Sequence, residues 1–323
     1  VTAHGLKENG YATIATTNWL PYSWSINNVA SAEVMHTALS YFQAGRADAG
    51  YKLLKSSVLD GMYLGDSPGN FGQISFYDAA RGECYRDFGD PIGVASRVLI
   101  QGLFGILPDA LNQQIILRPG FPDDWDKASV STPDISYRFT RKEDTDTYHI
   151  TQRFQTPLHP VLHVNARKEK IRSVKVNGVP ATWQSIESAH GYPLLSIQAE
   201  GTSSTTITIE WEGAPLHTLA VQEPVITSNG KLALQIPSGA SISQVYDPQS
   251  VLANHTVEAT AFNAQIKGEP GHRTFFVYTH QGEMDWWQPV NIYIENVRES
   301  PSYTDFACLL YTSPSPRDRT RSR

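Results

Sequence analysis

At Asn112 the apolar residues change their spacing, from a helical repeat to strict alternation. One element cannot bury both patterns, because a helix turns every 3.6 residues and a strand alternates every two. The chain is therefore expected to be helical first and strand-built afterwards. Before the switch, Val29, Ala32, Val34, Met35, Ala38, Leu39 and Phe42 recur at helical spacing, with Asn28 as a candidate N-cap and Gly45 as a stop. A second helix is predicted from Ala47 to Leu64, striped by Tyr51, Leu54, Val58 and Met62. A third is predicted over the apolar run Ile92–Leu107, with Asp90 as N-cap and Pro91 at its first position.

After the switch, seven segments read as strands: Gln114–Arg118, Ala128–Thr140, Thr147–Phe154, Val161–Asn165, Ile171–Val176, Leu194–Ala199 and Thr205–Trp211. Asn177-Gly178 between two of these runs is a hairpin signal. Seven strands joined by turns predict an antiparallel β-sandwich. A second strand-rich stretch follows Pro215. The expected layout is thus α + β and multidomain: helical residues 1–111, a sandwich over 112–214 and a further, partial β domain over 215–307.

Residues 308–323 stand apart. Cys308 to Asp318 back-translates without conflict into a string that resembles a transposase-type sequencing adapter, so this tail is set aside as not native. Setting it aside removes four arginines and one aspartate and leaves Cys84 as the single cysteine, with no intrachain disulfide to form. The whole chain already carries a net charge of −6, which argues against a nucleic-acid partner. No apolar run reaches the roughly 18–20 residues of a membrane span. The chain reads as a piece of a longer protein at both ends, and a periplasmic or secreted location is expected.

Two polar-aromatic loops stand out. Arg81-Gly-Glu-Cys-Tyr-Arg-Asp-Phe-Gly-Asp90 puts three carboxylates and two guanidiniums ahead of an apolar helix. Charges are costly to bury unless paired or put to chemical use. Asn18 to Asn28 brings Trp19, Tyr22 and Trp24 beside Asn27: rings to stack on pyranose faces and an amide to bond hydroxyls. Counting helix lengths places both loops at one end of the helical part, with Asp66 to Asn70 on the rim. The alternatives stay open at this level: Arg86–Asp87 or Arg81–Glu83 as plain ion pairs, and the rings as packing between helices.

The stretch Gly105-Ile-Leu-Pro-Asp109, then Ile116-Leu-Arg-Pro-Gly-Phe-Pro-Asp-Asp-Trp125, then a strand from Ala128, resembles the end of an (α/α)6 toroid. It is similar to the six-hairpin glycoside hydrolases: bacterial α-L-rhamnosidases, toroid α-L-fucosidases and glucoamylase-like enzymes. The resemblance covers about residues 12–140. It implies that residues 1–111 are the last hairpins of such a toroid, and that the chain takes part in hydrolysing glycosidic bonds in a poly- or oligosaccharide, with inversion. It further implies a catalytic carboxylate just before the last inner helix. That position falls on Asp87 as general base with Glu83 as runner-up, Asp90 remaining a cap. Arg86, Trp19, Tyr22, Trp24, Asn27 and Asn70 would hold the substrate. Inversion needs a second carboxyl some 6.5–9.5 Å away, which these families place in an earlier hairpin, so the chain alone is expected to be inactive. A toroid that only binds glycan, or a toroid lyase or phosphorylase, are the alternatives.

Other signals carry less. Asp87-Phe88-Gly89 lacks the companion motifs of a kinase. The histidines show no ligand spacing for zinc, and nothing points to a metal or cofactor. Adjacent Trp286 and Trp287 on a strand would face opposite ways, offering one ring as a sugar platform or placing both in packing.

Overall fold

The computed structural model describes residues 7–8, 11–12, 14, 31–59, 89–217 and 223–295. They form two compact units, the first comprising residues 1–217 with 280–287 and the second 218–279 with 288–323. No helix among the described residues is long and apolar enough to cross a membrane.

In the first unit, helices α1 (Ser31–Gln43) and α2 (Ala47–Leu59) form an antiparallel pair. Their connection is tight because α1 ends in a left-handed glycine, Gly45, at φ 72°. Gly45 N–H donates to Phe42 O and Arg46 N–H to Tyr41 O, the paired bonds of a Schellman cap, and the Arg46 guanidinium lies 5.3 Å from the Tyr41 ring centre. The third helix, α3 (Gly89–Arg97), continues into a π-helical turn at Val98–Leu103, where Phe104 N–H reaches back five residues to Leu99 O.

Helix does not persist to Leu107. Gly105 turns left-handed at φ 63°, and residues Ile106–Asp109 leave as strand β3. (Strands β1, Lys7–Glu8, and β2, Tyr11–Ala12, pair earlier in the chain.) Arg118 N–H donates to Gly105 O, and a Cβ on Gly105 would lie 1.8 Å from Arg118 O. Only glycine fits so close a backbone crossing.

Two sheets enclose the core of this unit. The larger has the order β10-β9-β13-β7-β6-β5, built from β5 (Lys127–Ser131), β6 (Ile135–Lys142), β7 (Thr145–Gln152), β9 (Lys168–Val176), β10 (Val179–Pro180) and β13 (Ser204–Pro215). The smaller has the order β11-β12-β8-β4-β3, adding β4 (Gln114–Leu117), β8 (His159–Asn165), β11 (Gln184–Ser185) and β12 (Leu194–Gln198). Tyr137, Phe139, Ile150, Ile207 and Trp211 from one sheet and Leu117, Leu162, Leu195 and Ile197 from the other are buried in one apolar cluster. The arrangement is sandwich-like. Asn177 and Gly178, both at positive φ, make the predicted two-residue hairpin turn between Val176 and Val179.

Three sequence expectations are corrected here. The described residues are mostly β, with four sheets of three or more strands and three α-helices, and no helical toroid appears among them. The physical reason lies in the helix faces. Toroid hairpins bury their stripes against further hairpins, whereas Val34, Met35, Ala38, Leu39 and Phe42 of α1 join the same core as the sheets. The sandwich is mixed rather than antiparallel, because β4 runs parallel to β8. The single strand expected over Ala128–Thr140 is a hairpin, turned where Thr132 Oγ1 donates to Ile135 O and accepts from Ile135 N–H.

Met284 and Trp286, from the 280–287 segment of this unit, are fully buried in its core. Trp287 is half-buried, its N–H bonded to Ala189 O and its carbonyl to Gly191 N–H, both at 2.8 Å. The ring of Trp286 is therefore core, while Trp287 stays partly exposed.

The second unit holds most of a four-stranded sheet, β14-β20-β19-β16, formed by Val225–Thr227, Met284–Glu295, Gly271–Gln281 and Ala240–Tyr246, of which residues 280–281 and 284–287 count with the first unit. Its three-stranded sheet, β15-β18-β17, is formed by Lys231–Gln235, Ala261–Ile266 and Leu252–Val257. Its own core gathers Phe262, Phe275, Val277, Val290 and Ile292.

Candidate functional site

A cleft of about 500 Å3 opens in the first unit, where the α1–α2 turn meets the ends of β4, β6, β7 and β8. Strand register explains its polar wall. β4 and β8 pair with Leu117 opposite Leu162, and Leu117, Leu162 and Val164 point into the core. One residue along, Arg118, His163 and Asn165 take the opposite face and line the cleft. Arg118 Nη2 and Asn165 Nδ2 each lie 4.0 Å from where a Cβ on Gly45 would stand, so both groups converge beside that turn. Tyr192, ahead of β12, is held alongside by the Ala166 N–H bond to Pro193 O and remains 41% exposed.

The second wall is a charge cluster at the end of the core. Arg141 and Asp146 lie directly opposite each other on β6 and β7. Asp146 is only 1% exposed and accepts from Arg141 Nε at 2.9 Å, Arg167 Nη1 at 3.1 Å and the Trp211 indole N–H at 3.1 Å. A buried carboxylate with three donors is satisfied, and it fixes two guanidiniums at the rim. Arg141 also donates to Asp123 O at 2.9 Å and lies 5.3 Å from the Phe139 ring centre.

The titratable groups follow this geometry. Burial lowers the Arg118 pKa from its ordinary value. His163 is lowered first by burial and then by the nearby Arg118 charge, so its imidazole favours the neutral form. Asp123 is raised, first by desolvation and then by Asp48, while Arg141 and Arg167 pull the other way. Burial raises both the Tyr137 and Tyr148 hydroxyls, which stay protonated.

Trp19, Tyr22, Trp24, Asn27, Asn70, Glu83, Arg86 and Asp87 all lie outside the described residues. Sequence reasoning in turn passed over Arg118, Arg141, Asp146 and His163. A signal for two of them was present. Ile135, Tyr137 and Phe139 set the inward phase of β6, and Arg141 continues it. Asp146 occupies the same phase in β7 ahead of Tyr148 and Ile150. A charge in the core phase of two paired strands is informative, because charges are almost never fully buried unless paired. Among the described residues no group of three or more His, Cys, Asp or Glu is placed to hold a metal ion.

No family model matches the chain, and no curated protein does. Among solved structures, the chain is similar to an α-L-rhamnosidase from Dictyoglumus thermophilum, at 14% identity and TM-score 0.36 over 56% of this chain. It spans 21% of that enzyme's length. It is also similar to the SGBP-B protein of a Bacteroides ovatus mixed-linkage glucan utilization locus, solved with a mixed-linkage heptasaccharide. That likeness has 12% identity and TM-score 0.19 over 53% of this chain and 64% of the other. A third likeness is to tandem Ig repeats of Dlar, with 10% identity and TM-score 0.18 over 47% and 90% of the two chains.

Proposed function

We propose that this chain is a carbohydrate-handling protein and that the cleft binds a saccharide. The observation that carries this reading is the exposed Tyr192 ring set in one cleft with the Arg118 guanidinium, the Asn165 amide and the His163 imidazole. Sugars present apolar ring faces edged by hydroxyls. An aromatic face with a few convergent planar donors and acceptors is the complement of that surface. The test is calorimetric titration of the chain with a panel of neutral and acidic oligosaccharides, repeated on Tyr192→Ala. Saturable binding that weakens tenfold or more in the variant supports the reading. Absence of binding across the panel overturns it.

A second reading, hydrolysis of a glycosidic bond, is favoured by the charge-dense loop Arg81–Asp90, with Asp87 and Glu83 as its carboxylates. Because this chain alone is expected to be inactive, it is tested by measuring new reducing ends from polysaccharides treated with a longer protein that carries this chain, with and without Asp87→Asn. Turnover that the variant loses while it still binds supports hydrolysis, and binding without turnover in either protein contradicts it. Polysaccharides are met outside the cytoplasm, so either reading goes with a periplasmic or secreted location.

A further inference from the structure

The charges of the cleft do not close among the described residues. Four guanidiniums line it, from Arg46, Arg118, Arg141 and Arg167, against the carboxylates of Asp48, Asp123 and Asp146. Asp146 is taken up by Arg141, Arg167 and Trp211. Arg46 is exposed and rests on the Tyr41 ring. Arg118 is the exceptional one. It is half-buried, and among the described residues its side chain has no carboxylate and no hydrogen-bond acceptor. The Asn165 amide nitrogen shares its place beside the Gly45 turn, each 4.0 Å from where a Cβ on that glycine would stand, and the His163 imidazole near its charge favours the neutral form. A partly desolvated guanidinium with no anion among the described residues is an incomplete arrangement there, and its planar fork matches an oxyanion in two-point contact.

Resting on the saccharide reading, we infer that the cleft takes an anionic sugar, its carboxylate or sulfate ester seated on the Arg118 guanidinium with Asn165 Nδ2 as a second donor and the sugar ring toward Tyr192. Arg141 and Arg167 then supply a positive rim that Asp146 holds in place. Asp123 stands at the same rim, where desolvation and the Asp48 charge raise its pKa while Arg141 and Arg167 pull it down. The chemistry common to both candidate groups is a multi-oxygen anion on a pyranose; they differ in geometry, the carboxylate being planar like the guanidinium fork.

The experiment compares trigalacturonate, a 6-sulfated galactotriose and neutral galactotriose, each titrated into the full chain and into Arg118→Gln and Arg118→Lys. Wild type is expected to prefer one acidic sugar over the neutral one by tenfold or more, with the preference reduced by added salt. Arg118→Gln should bring the ratio close to one, and Arg118→Lys should keep part of it, retaining the charge without the fork. Which acidic sugar binds tighter tells carboxylate from sulfate. Equal affinity for acidic and neutral sugars overturns the inference and leaves the saccharide reading standing. Failure of all three sugars to bind overturns both. An acid preference that survives in Arg118→Gln overturns the assignment to this residue. Should Arg118→Gln not fold, the His163 ring resonances of wild type carry the test: they move with the acidic sugar if the anion sits here and stay fixed if it does not.

Discussion

Asp146 shows how much one residue can hold. It lies in the inward phase of β7, where Tyr148 and Ile150 supply apolar surface, yet it carries a charge. Truncating it to alanine leaves two guanidiniums and the Trp211 indole N–H without their acceptor. Breaking a buried pair from one side costs about 3–5 kcal/mol, so Asp146→Ala is expected to lose that much in a denaturant titration. A loss under about 1 kcal/mol would mean the arginines find other partners. Asp123 acts in the opposite direction. Its pKa is raised in the folded state, so its proton stabilises the fold below the ordinary carboxylate value of 3.8, and that contribution is lost as pH rises through the folded pKa. Asp123→Asn should therefore raise the thermal midpoint at pH 7 and leave it unchanged at pH 3. The gain should stay below about 1 kcal/mol, because this exposed carboxylate is screened by water. Of these residues the sequence made only the phase of Arg141 and Asp146 visible. Arg118 and His163 meet through pairing of strands far apart in the chain, which no local pattern encodes.

Phe42 sets the packing at the level of elements. It closes α1 at the Schellman turn, is buried, and is approached by three backbones that lack side chains. Added Cβ atoms on Gly102 and Gly120 would lie 2.7 and 2.4 Å from its ring carbons, and one on Gly50 would lie 3.0 Å away. The π-helical turn, α2 and the segment after β4 thus converge on one ring. Gly120→Ala forces that ring off its position, and overpacking of this kind costs about 1–3 kcal/mol. Equilibrium unfolding should show that loss, and an unchanged midpoint would mean that the ring is free to shift. The change of period at Asn112 located the strands well, since alternation survives wherever one face is buried. The run Ile92–Leu107 misled because a continuous apolar stretch fits a buried helix and a buried strand equally. Only Gly105 and its crossing with Arg118 divide it.

At the scale of the whole molecule, the helices of the first unit bury their apolar stripes in one core with its sheets, and the expectation of a toroid fails for that reason. Motif likeness over residues 105–125 pointed to a chain passing from helices to a sandwich, and such a passage does exist here. It says nothing of what the helices before it pack against, and α1 packs into the core shared with the sheets. The same architecture brings Tyr192, Arg118, Asn165 and His163 into one cleft from three separate stretches of sequence. Residues chosen from loop composition could not reveal this, because the cleft comes from strand register and from the turn at Gly45. The most direct test of the account is the affinity of the intact chain and of Tyr192→Ala for oligosaccharides, measured by titration calorimetry. The account predicts saturable binding by the intact chain and at least a tenfold loss in the variant, with its fold unchanged by circular dichroism. Equal affinity in the two proteins, or no binding by either, would contradict it.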